Sequence, residues 1–62
     1  MYHVTIKDRY LGNLVEIDEY DARTGHATWH LVHVRDLWRW LASRRPALVY
    51  RAGRAYHLGR TP

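Results

Sequence analysis

The segment Val34-Arg35-Asp36-Leu37-Trp38-Arg39-Trp40-Leu41-Ala42-Ser43-Arg44-Arg45-Pro46 carries the one helical period in the chain. Val34, Leu37, Trp38 and Leu41 recur at i, i+3, i+4 and i+7, which gathers four large apolar side chains on one face of a helix. Asp36 falls in the first turn and Arg44 and Arg45 in the last, the placements that the helix dipole favours. Pro46 ends the helix, because its ring disfavours the helical conformation of Arg45 and sends the chain on as extended structure. On this reading Trp38 belongs to the core, with Trp29 on a neighbouring strand as its partner. Trp40, rotated by about 200° from Trp38, lies on the opposite face. There it is a stacking platform for a base, the anchor of a protein interface, or a ring covered by the last hairpin, and the residues leave all three open.

Around the helix the chain alternates. Tyr2, Val4 and Ile6 face one way and His3, Thr5 and Lys7 the other, a half-buried strand over 2–7. Gly12-Asn13 marks a turn. Residues 14–20 form a second strand, with Val15 and Ile17 inward and Glu16 and Asp18 giving an acidic outer face. Asp21 to Gly25 reads as a hairpin loop, since Asp holds its own backbone in a turn and Gly supplies a positive φ. Thr28 to His33 is a third strand, rich in β-branched and aromatic residues. Two short strands, 47–51 and 55–58, flank Ala52-Gly53-Arg54. The expected fold is α+β, β-β-β-α-β-β, a small antiparallel sheet packed on one short helix. The last hairpin either extends the sheet or closes a partly open barrel.

With 62 residues the chain reads as a single small basic domain, 1–62, near the length at which one core can sustain a fold. It has no cysteine, so disulfides and thiolate metal sites are excluded and a cytoplasmic setting is expected. No segment has the length and apolarity of a membrane span or of a signal peptide. The net charge of +4 is unevenly spread. Residues 1–22 hold two cations against five carboxylates, and from Arg23 onward eight arginines face Asp36 alone. Such an excess suits an external anion, nucleic acid first of all.

The order of elements resembles that of the OB-fold, a five-stranded barrel that binds oligonucleotides. The run Arg44-Arg45-Pro46-Ala47-Leu48-Val49-Tyr50-Arg51-Ala52-Gly53-Arg54-Ala55-Tyr56-His57-Leu58 resembles the tail of the small winged-helix excisionases of mobile elements, where such a hairpin serves as the wing. That resemblance implies a DNA contact at the hairpin. It covers about a quarter of the chain, and residues 1–33 read as strands with no helix-turn-helix.

The residues point to no metal and no cofactor. His30 and His33 face opposite ways on one regular strand, and His26 has no Cys or acidic neighbour to complete a four-ligand set. Ser43 is the lone serine, so no catalytic triad has a home and no catalytic residue is assigned. The enzyme reading that the composition allows is a metal-free, toxin-type ribonuclease built on Tyr50, Arg51, Arg54, Tyr56 and His57. The leading reading is a non-enzymatic nucleic-acid-binding module, DNA before RNA, such as a regulator from a phage or mobile element. Its contacts would be Arg39, Arg44, Arg45, Arg51, Arg54, Tyr56, His57 and Arg60. The alternative is a protein-binding module, an inhibitor or a homodimer, using Trp40, Glu16, Asp18 and Tyr20.

Overall fold

The computed structural model describes residues 2–59, and Arg60 lies outside them. Five strands form one open sheet: β1 (Tyr2–Leu11), β2 (Leu14–Asp21), β3 (His26–His33), β4 (Ala47–Arg51) and β5 (Arg54–Leu58). Between β3 and β4 runs a 3-10 turn, Val34–Asp36, which passes into α1, Leu37–Ala42. The strand order is β3-β2-β1-β4-β5. All neighbours are antiparallel except β1 and β4, which pair in parallel from Tyr2 with Ala47 to Ile6 with Arg51. The last hairpin therefore extends the sheet, no barrel closes, and the likeness to the OB-fold stops at the order of elements. The sheet is mixed because a helical crossover returns the chain beside β1 in the same direction as β3.

Local chemistry accounts for the joints. Asp21 accepts hydrogen bonds from three backbone N–H groups: Arg23 at its side chain (3.0 Å), and Thr24 and Gly25 at its carbonyl (3.3 and 2.7 Å). The His33 side chain caps the 3-10 turn by accepting from the Arg35 N–H at 3.2 Å. Asp8 adopts a positive φ of 54° where the β1–β2 register shifts, so β1 continues past the expected Lys7 by way of a bulge. In the β4–β5 turn both central residues have positive φ, Ala52 at 51° and Gly53 at 75°, the signature of a type I′ hairpin. Ala is the wrong residue for the first of these positions. Ala52→Asn is expected to stabilise the fold by about 0.5–1 kcal/mol, read as a higher midpoint in urea unfolding with an unchanged slope.

Val4, Ile6, Val15, Ile17, Val32, Ala47 and Val49 form the inner face of the sheet, and Leu41 closes it from the helix. Leu37, Trp40 and Leu58 pack around them. This corrects the helix face read from the sequence. Trp38 is 75% exposed, while Trp40 turns inward. Trp29 is no core partner either: it stands on the opposite, uncovered face of the sheet, 57% exposed. The physical reason lies in the first turn. Leu37 and Leu41 define a midline from which Trp38 and Trp40 are each about 80° away, one on either side, so periodicity within α1 does not choose between them. Val34 favours the Trp38 side only if the helix begins as an α-helix there, and it begins as a 3-10 turn with a different period.

Candidate functional site

The helix lies over one face of the sheet and leaves a groove on its β4–β5 side. Ile6 and Val49 form the floor. Leu37, Trp38 and Leu41 make the helical wall, Tyr56 and Leu58 the hairpin wall, and Arg51 stands at the mouth. The space within this open groove is about 240 Å³. Alternation along β5 sends Tyr56 toward this groove, beside its β4 partner Val49, and leaves it 51% exposed. Two exposed aromatic rings thus stand on opposite walls of an apolar cleft.

Charge is sorted between the two sides of the sheet. Arg35, Arg39, Arg44, Arg45, Arg51 and Arg54 belong to the 3-10 turn, the helix, its exit and the adjoining hairpin face. Three of them are engaged. Arg44 donates from Nε to Glu19 at 2.7 Å and stacks over the Trp40 ring, its guanidinium carbon 4.4 Å from the centroid. Arg51 donates to Asp8 at 3.1 Å and to the Tyr10 hydroxyl at 3.3 Å, and that partnership with Asp8 raises its pKa above the ordinary value. Arg39 is 3.9 Å from Asp36 with its side chain almost fully in solvent. Arg35, Arg45 and Arg54 form no ion pair among the described residues. On the uncovered face the balance is different. Lys7 is shared between Glu16 at 3.0 Å and Asp18 at 3.3 Å, and these hydrogen bonds raise its pKa. That face is close to neutral and aromatic, with His3 stacked on Tyr50 and tilted against Tyr20.

The structure thus divides the residues expected to contact nucleic acid. Arg51, Arg54 and Tyr56 come together at the groove, whereas Arg39 lies on the helix toward its β3 side, near Trp40 and His33. His57 points to the other face of the sheet, so it cannot share a contact with Tyr56. Arg44 is drawn into the fold by Glu19, and Arg45 sits in the link to β4. Among the residues expected at a protein interface, Glu16, Asp18 and Tyr20 share the uncovered face, and Trp40 is on the other side. Trp29 takes its place there, opposite Asp18.

Sequence reasoning passed over Glu19. It is the one buried charged residue among those described, 8% exposed, and its carboxylate accepts from Arg44 and pairs with His30 Nε2 at 2.9 Å. His30 in turn meets the Trp40 ring edge-on, 5.0 Å between centroids. The parity of β2 carried the signal, since position 19 follows Val15 and Ile17 on the inward face. The cluster ties the end of the helix to β2 and β3. Among the described residues no group of His, Asp and Glu is arranged to hold a metal ion, and no helix is long and apolar enough to cross a membrane. Comparison with family models, with curated proteins and with solved structures finds no match.

Proposed function

We propose that the protein is a non-enzymatic nucleic-acid-binding module that uses the helix side of its sheet. The observation that carries this reading is the sorting of charge: six arginines lie on that side, three of them without a carboxylate partner among the described residues, and one of the six, Arg51, lines a cleft walled by Trp38 and Tyr56. The likeness of the 47–58 hairpin to an excisionase wing supports a regulator of the kind phages and mobile elements carry. Arg54 is the discriminating residue, because it starts β5 beside the turn and is exposed. In a fluorescence titration of labelled DNA at several salt concentrations, Arg54→Ala is expected to lower affinity by a similar factor for every sequence and to reduce the salt slope by about one unit. An isotherm superimposable on the parent's would remove the hairpin from the contact.

A second reading rests on the uncovered face. Trp29 and Tyr20 are exposed there on adjoining strands beside Glu16 and Asp18, which suits a protein partner or a second copy of the chain. The same titration separates the two, since an interface centred on Trp29 predicts no binding of DNA or RNA at low salt.

A further inference from the structure

Resting on the nucleic-acid reading above, we infer that the ligand is single-stranded and that one unpaired base enters the groove between Trp38 and Tyr56. Three features of the cleft argue for this. Its walls present aromatic rings that are 75% and 51% exposed, and its floor, Ile6 and Val49, is apolar. The outside of a duplex offers phosphates and sugars, with the faces of its bases hidden in the stack, so these rings would have little to meet. An unstacked base offers a π-face to either wall and displaces water from the floor. The cations, finally, stand at the edge of the cleft and leave its floor apolar: Arg51, held by Asp8, lines the mouth. Arg35 precedes Trp38 by three residues, a spacing that suits the same flank of the helical segment, while Arg54 stands across the hairpin from Arg51 at the mouth. Phosphates on either side of an inserted base would meet these two arginines. An acidic peptide would satisfy the arginines and leave the facing rings without a planar partner.

Fluorescence anisotropy with a labelled thymidine 12-mer, a uridine 12-mer, a DNA duplex of the same length and a poly-glutamate peptide tests this. The single strands are expected to bind at least about tenfold more tightly than the duplex, and Trp38→Ala and Tyr56→Ala each to weaken single-strand binding by roughly tenfold while leaving the salt slope unchanged. The two single strands compared show whether the 2′-hydroxyl is read. Because both rings are exposed, circular dichroism of the variants should match the parent. Duplex binding equal to single-strand binding, with no effect of Trp38→Ala, would overturn the base-insertion proposal and leave nucleic-acid binding standing. Poly-glutamate binding as tightly as the oligonucleotides would overturn it in favour of an acidic protein ligand. No binding of any nucleic acid at low salt would overturn both readings.

Discussion

Leu41→Ala is expected to lower the stability of the fold by about 3 kcal/mol, the middle of the range for truncating a buried leucine. Leu41 is 2% exposed and is the helical side chain driven deepest into the sheet. The neighbouring β-strands are held by their own hydrogen bonds and cannot collapse into the space, so a cavity adds to the lost transfer energy. For a chain of this size that corresponds to a fall in Tm of roughly 15 °C or more. Trp38→Ala is the matched control. A far larger side chain is removed, yet from a position in solvent, and the expected change is within about 0.5 kcal/mol. Thermal unfolding followed by circular dichroism decides the matter. If Trp38→Ala cost more than Leu41→Ala, the helix would present the other face to the sheet.

Glu19→Ala is expected to cost about 2–3 kcal/mol, an effect out of proportion to the loss of a carboxylate from a strand. The carboxylate is buried and satisfies two partners, Arg44 and His30, and no buried side-chain polar atom among the described residues lacks a hydrogen bond. Removing it leaves a cation beside the Trp40 ring with nothing to neutralise it, which is far worse than losing the pair as a whole. Arg44 is partly exposed and recovers some hydration, which keeps the figure at the low end of what a fully buried pair would show. Glu16→Ala, on the uncovered face, should change stability by well under 1 kcal/mol. A double-mutant cycle between Glu19 and Arg44 measures the coupling directly. A coupling near zero would mean that the cluster does not hold the helix in place.

The contrast between Leu41 and Trp38 also shows how far the residues themselves declare the fold. The helix ends at Ala42, ahead of the stop expected at Pro46, and leaves Arg44 and Arg45 beyond its last turn. Turns at Gly12, Asp21 to Gly25 and Ala52-Gly53 and the alternation of β1 and β2 are local, and each follows from one or two side chains acting on their own backbone. Element order was legible for that reason. The face of the helix was not, because two tryptophans flank the same pair of leucines symmetrically and the tie is broken by Glu19 and His30, which are distant in sequence. Parallel pairing of β1 with β4 was hidden for a similar reason, as nothing within either strand specifies a neighbour so far along the chain. In the groove, Arg51, Arg54 and Tyr56 announced themselves as a hairpin. Their partner Trp38 could be placed there only once the helix phase was known.

The parallel β1–β4 seam also sets the order in which the molecule can assemble. Strands β1 to β3 form a meander of near neighbours, and β4 with β5 forms a hairpin closed by a two-residue turn, so the pairings within each are local in sequence. Joining Tyr2 to Ala47 requires the longest loop closure in the fold, whose entropy must be met before any contact across it gains free energy. The hairpin is therefore expected to dock after the meander, which native-state hydrogen exchange would register as weaker amide protection in β4 and β5 than in β1 to β3.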